Sequence, residues 1–146
     1  MPAQAVVLLS HDYPASPEAV WRVACDWRCL VEASRGLLRY DDAPQGRLVE
    51  GQDVALSLSF LGVFPPTKWR IEIALLDDQA RVMRSLEGGA PVRRWEHWMT
   101  VTPIEHGARL TDRIEIEAGV LTPAYAAFAK MLYNRRHPRR RRMLDD

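Results

Sequence analysis

The chain has 146 residues, 47% apolar and 27% charged, with a formal net charge of +1. Such a length and apolar content suit a single domain with its own core and exclude a disordered chain. The near-zero charge argues against a general attraction to nucleic acid, and no apolar run reaches the length of a membrane span.

The only early apolar run, Ala5 to Leu9, is too short for a secretory signal and lacks a basic leader. Ala5 to Tyr13 alternates as a first strand, with Val7, Leu9 and His11 on one face. Ser16-Pro17-Glu18 reads as a helix start: Ser16 as N-cap, Pro17 at the first helical position, Glu18 in the first turn. Val20, Trp21, Ala24 and Cys25 follow at helical spacing. A break near Asp26 precedes a second short helix through Leu30, Val31 and Ala33, which Gly36 ends. Cys25 and Cys29 share a helix face at a spacing that disfavours a disulfide, and no second Cys or His cluster stands nearby to complete a metal site. They read as two reduced, partly buried thiols of a cytoplasmic protein.

From Leu37 onward the pattern has period two. Leu37 to Tyr40 is a short strand. Val54, Leu56, Leu58 and Phe60 alternate with Ala55, Ser57 and Ser59, and the adjacent Pro65 and Pro66 place a loop after them. Trp69, Ile71, Ile73 and Leu75 alternate with Lys68, Arg70, Glu72 and Ala74. Asp77-Asp78 turns the chain into a strand from Arg81 to Glu87, and Gly88 to Pro91 turns it again. Closing that turn between Glu87 and Val92 would set Arg84 opposite Trp95, facing inward, where it suits an anionic ligand group; the alternative is an arginine reaching out at the sheet rim, which is the commoner arrangement.

Val92 to Gly119 reads as a hairpin. Trp95, His97, Met99 and Val101 share one face of its first strand; Leu110, Asp112, Ile114 and Ile116 share one face of its second. A two-residue His106-Gly107 turn would pair Val101 with Asp112 and His97 with Ile116, which unites both apolar rows. His97 and Asp112 would then stand about 13 Å apart at strand rise, too far for a direct pair. A final helix of roughly twenty residues starts at Thr122-Pro123, with Leu121, Tyr125, Phe128, Ala129 and Leu132 as its apolar stripe. Pro138 is expected to kink or end it. The six arginines between Arg135 and Arg142 read as a basic C-terminal extension, residues 135–146, with a solvated face. Trp98, on the outer face of the hairpin, is a candidate contact for a second copy, so the chain is expected as a monomer or homodimer.

Four stretches carry a family likeness. They are Tyr13-Pro14-Ala15-Ser16-Pro17-Glu18-Ala19-Val20-Trp21; Trp69-Arg70-Ile71-Glu72-Ile73; Trp95-Glu96-His97 followed by Gly107-Ala108-Arg109-Leu110-Thr111-Asp112; and Tyr133-Asn134-Arg135-Arg136-His137. In this order the chain resembles the SRPBCC superfamily, also described as START-like or polyketide cyclase/dehydrase-like. Pro138 and the arginines after it depart from the pattern. The resemblance implies an α+β helix-grip fold: a curved antiparallel sheet of six to seven strands around a long C-terminal helix, with two short helices after the first strand. It also implies a cavity between sheet and helix for a hydrophobic or amphipathic small molecule, lipid-, aromatic- or polyketide-like.

The candidate lining is Leu56, Leu58, Phe60, Trp69, Ile71, Ile73, Trp95, Met99, Ile114, Tyr125, Phe128 and Leu132, with Arg84, His97 and Asp112 as polar members. Such a set suits a small-molecule pocket and equally a filled core. His97 and Asp112 are the candidate acid/base groups if the cavity belongs to a cyclase, dehydratase or aromatase; the commoner alternative is a core-edge histidine bonded to backbone and a structural carboxylate satisfied by a neighbouring loop or the long helix. A third reading makes the arginine run a docking site for protein or ribonucleoprotein. No nucleophile elbow, phosphate loop or nucleotide fingerprint is present, and neither metal nor organic cofactor is expected.

Overall fold

A computed structural model describes residues 4–145. Strand β1 (Ala5–Tyr13) leads into helices α1 (Pro17–Ala24) and α2 (Trp27–Ser34). Six strands follow, β2 (Leu38–Asp41), β3 (Asp53–Phe60), β4 (Thr67–Asp77), β5 (Val82–Gly89), β6 (Val92–Ile104) and β7 (Gly107–Glu117). A single 3-10 turn (Gly119–Leu121) then precedes α3 (Thr122–Asp145). The seven strands form one antiparallel sheet in the order β1-β7-β6-β5-β4-β3-β2. The sheet curls around α3, with α1 and α2 bridging its two edge strands. This is the helix-grip α+β architecture.

The helix starts form as their residues dictate. Ser16 Oγ accepts from the Ala19 amide at 3.1 Å, and Asp26 Oδ1 from the Cys29 amide at 3.1 Å, so each cap satisfies a donor that the first turn leaves open. Both cysteines are free thiols. Burial pushes the Cys25 thiol up to about 12, which keeps it protonated.

The inner face of the sheet carries Val7, Leu58, Trp69, Ile73, Trp95, Met99, Leu110, Ile114 and Ile116, all buried. The outer face is laced with ion pairs such as Arg109–Asp12 and Arg70–Asp53. Two turns differ from the sequence-based reading, and each moves a candidate residue. The β6–β7 turn is Glu105-His106, closed by Ile104 opposite Gly107, so the pairing slips by two residues from that expected. Gly107 is needed elsewhere. A methyl group there would lie 2.1 Å from the Tyr13 carbonyl oxygen where β1 passes, while His106 supplies the positive φ of 67°.

At β5–β6 the closure is Gly89 opposite Val92, with an irregularity between Glu87 and Gly89. A methyl group on Gly89 would lie 2.2 Å from the Lys68 carbonyl oxygen. Arg84 therefore pairs with Trp98 rather than Trp95, and the odd-numbered shift turns it to the outer face.

Pro138 does not end α3, which runs on to Asp145. An interior proline costs about 3 kcal/mol. Tertiary contacts beyond it offset that cost. Arg139 donates to the Glu32 and Arg35 carbonyls at the end of α2, where a cation is favoured, and Arg140 donates to Tyr13 Oη at 3.2 Å.

Candidate functional site

One stripe of α3 faces the sheet: Tyr125, Phe128, Ala129, Leu132, Tyr133, Arg136 and Arg140. The spacing of three and four residues is the apolar periodicity read from the sequence, carried two turns further in arginine. Arg136 and Arg140 are 4% and 5% exposed, so the basic segment is not simply a solvated face. Arg135, Arg141 and Arg142 do face solvent.

At the inner end lies a cavity of about 40 Å³. Ile71, Ile73, His97 and Met99 line it from the sheet, together with Ser85 and Glu87, which occupy the inward positions expected for Arg84. Tyr40, Arg136 and Arg140 close it from the other side. A second void of about 20 Å³ lies towards the start of α3, between Leu58, Phe60, Trp69, Trp95, Phe128 and Leu132. It shares Tyr40, Glu87 and Arg136 with the first. Beyond Phe60 and Phe128, whose rings meet edge-on at 5.2 Å, an apolar groove of about 520 Å³ opens to solvent. Its walls are Phe64, Pro65 and Pro66 of the β3–β4 loop, Ala90 and Pro91 of the β5–β6 turn, and Leu121, Ala124 and Tyr125 at the start of α3. The interior voids are water-sized and the groove is ligand-sized.

The slipped hairpin register brings His97 and Asp112 together, correcting the expectation that they stand apart. His97 pairs with Ile114, and Asp112, two residues along on the same face, becomes its diagonal neighbour. Asp112 Oδ1 lies 2.6 Å from His97 Nε2. Both residues are buried, and Asp112 Oδ2 has no hydrogen-bond partner among the described residues. Burial alone would push the Asp112 carboxyl up. The His97 hydrogen bond and charge, with Arg140 and Arg136 behind them, outweigh burial and hold it below its ordinary value. The His97 ring meets the Tyr133 ring edge-on at 4.9 Å, and the Arg136 guanidinium covers the same tyrosine at 4.5 Å.

Arg136 donates from Nε to Ser34 Oγ at 2.9 Å and from a terminal nitrogen to Tyr40 Oη at 3.0 Å. Burial by itself lowers the Arg136 guanidinium, but Tyr40, Tyr133, Asp112 and Glu87 around it hold it above its ordinary value, firmly charged. Burial raises the Tyr40 and Tyr133 phenols, so both stay protonated. Glu87 accepts from Trp69 Nε1 at 3.0 Å and from Ser85 Oγ at 2.8 Å.

The remaining candidates sort by position. Leu56 and Ile114 are packed core residues bordering neither void. Arg84 stands outside, donating to Glu96 and stacked over Trp98 at 5.3 Å. That guanidinium covers the ring proposed as a dimer contact. Sequence reasoning passed over Ser85, Glu87, Tyr133, Arg136 and Arg140. Extending the helical stripe past Leu132 would have found the last three. Among the described residues, no group of three or more His, Cys, Asp or Glu is placed to hold a metal, and no helix is long and apolar enough to cross a membrane.

A curled sheet gripping a long helix, with an apolar groove at the start of that helix, defines a helix-grip protein. The chain belongs to a domain family of unknown function, DUF8410, whose model matches residues 13–144. Solved structures share the fold at low identity. Protein CV1439 from Chromobacterium violaceum aligns with a TM-score of 0.75 at 13% identity, over 97% of each chain. Ara h 8.0201 aligns at 0.75 and 8% identity, over 97% of this chain and 98% of that one. Norcoclaurine synthase from Thalictrum flavum aligns at 0.65 and 16% identity, over 99% of this chain and 88% of its own. No curated protein matches the chain in sequence.

Proposed function

We propose that the protein binds a hydrophobic or amphipathic small molecule between the sheet and α3, entering through the apolar groove. The observation that carries this reading is the groove itself. Three separate segments converge on it, and Phe60, Tyr125 and Phe128 form its floor in edge-on contacts. Aromatic floors of this kind bury apolar surface at about 25 cal/mol per Å² while leaving the opening accessible. Behind the floor the two small voids continue the same line inward.

Titration with Nile red, a neutral hydrophobic dye, tests the reading. One saturable site, competed by decanol, is expected. Leu121→Asp, at the exposed rim, should weaken binding about tenfold or more by placing a charge against apolar surface. Unsaturable dye partition, or a Leu121→Asp variant that binds as the parent does, contradicts the reading.

A second reading has one observation in its favour, the His97–Asp112 pair beside the inner cavity. A carboxylate behind a histidine fixes its tautomer and orientation, which is what an acid/base catalyst needs. One neighbour in fold is named as a synthase. Incubation with a panel of aromatic aldehydes and β-keto compounds, against His97→Gln, separates the readings. A rate lost in the variant while Nile red still binds makes the protein an enzyme, and equal rates leave it a binder.

A further inference from the structure

Arg136 and Arg140 lie one helical turn apart, line one cavity, and are nearly excluded from solvent. Each guanidinium carries five N–H donors. Among the described residues, side-chain acceptors take two from Arg136 and one from Arg140, and all three are neutral hydroxyls, those of Ser34, Tyr40 and Tyr13. Neither arginine forms an ion pair with a described carboxylate. Glu87 lines the cavity but its two carboxylate oxygens accept from Trp69 Nε1 and Ser85 Oγ, and Asp112, beside the cavity, is paired with His97. Asp112 and Glu87 act on Arg136 only at a distance, and a buried cation whose direct acceptors are all neutral is an expensive arrangement for a purely structural role, because hydroxyls return only part of the lost hydration. The inner cavity, about 40 Å³, is too small for a ligand body and about right for one or two polar atoms.

We propose, on the strength of the binding role above, that the ligand is an amphipathic carboxylate. Its anionic head enters the inner cavity between Arg136 and Arg140, and its apolar tail runs back past Phe60 and Phe128 to the groove. The shared linings mark the path. Phe60 and Phe128 border both groove and middle void, and Tyr40 and Arg136 border both middle void and inner cavity. Phe128 and Arg136 are separated by about 12 Å along the helix axis, a span that an extended medium-length alkyl chain covers. Entry requires the Phe60 and Phe128 rings to part. Bidentate guanidinium–carboxylate contacts then replace water in the cavity, and charge-assisted bonds of this kind are about twice as strong as neutral ones.

Calorimetric titration at pH 7 with decanoate, decanol and decylamine tests this on the intact chain. Decanoate should bind about tenfold or more tightly than decanol, and decylamine more weakly than either. Arg140→Met should remove the preference for decanoate while decanol affinity stays within about twofold. Arg136 also anchors Ser34 and Tyr40, so Arg136→Lys, which keeps the charge and loses the fork, serves as the second variant and should weaken decanoate selectively. Decanol binding as tightly as decanoate overturns the inference and leaves the binding role standing. A decanoate preference that survives Arg140→Met and Arg136→Lys also overturns it. If none of the three compounds binds and Nile red also fails to saturate, the binding role falls with it.

Discussion

The two halves of α3 present one inward stripe to the sheet, yet they carry opposite chemistry. From Tyr125 to Leu132 the stripe is aromatic and aliphatic, and it closes an open apolar groove. From Tyr133 to Arg140 it is phenol and guanidinium, set against the His97–Asp112 pair and a cavity of about 40 Å³. The first half is held by burial of apolar surface. The second is held by hydrogen bonds and charge, and each polar group left unpaired there costs stability. A single helix thus sets the polarity of the interior from end to end.

The sharpest way to break this contrast is at the buried pair. Asp112→Ala leaves His97 without its partner, and a loss of about 3–5 kcal/mol is expected in urea unfolding. The outer-face partner exchange Asp12→Asn, beside Arg109, should leave the unfolding midpoint nearly unmoved. Equal effects at the two sites would show that the inner polar cluster has no special weight.

Leu132→Ala, in the apolar half, should cost about 2–4 kcal/mol through lost burial and a residual cavity. That cavity joins the middle void, so Nile red affinity should rise even as stability falls. Phe128→Ala, at the half-buried floor of the groove, should cost about 1–2 kcal/mol and speed dye entry in stopped flow. Unchanged entry would separate Phe128 from the path.

Acid should act on the polar half. The Asp112 carboxyl is held below its ordinary value in the folded chain. Its contribution is fully present above the ordinary carboxylate range and is lost as pH falls through the lower folded value. Wild type should therefore lose stability with acidification more steeply than Asp112→Asn, and parallel curves would contradict the assignment. The smallest effects belong to solvent-side neighbours on the same helix. Arg141→Ala and Met131→Ala should each stay within about 0.5 kcal/mol.

Much of this architecture is legible in the sequence. The cap at Ser16, the break near Asp26 and the alternation in β3, β4, β6 and β7 each mark an element that forms where expected. The site was less legible, and the reasons are specific. Gly107 and Gly89 look like turn residues, but each is required where another strand passes too close for a Cβ, a long-range demand invisible to local pattern. Those two shifts bring His97 to Asp112 and turn Arg84 outward. The arginine run reads as a solvated face because charge runs generally are. The burial of Arg136 follows from extending the helical periodicity one turn past Leu132, and that of Arg140 only once α3 is known to continue past Pro138.

The most direct test of a ligand held between sheet and α3 is an amide chemical-shift map of the protein titrated with decanol. Saturable shifts are expected at residues 60–67, 88–92 and 121–132, with β1 and the outer-face ion pairs silent. Shifts that never saturate, or that scatter over the outer face and spare the groove, would contradict a ligand site in this place.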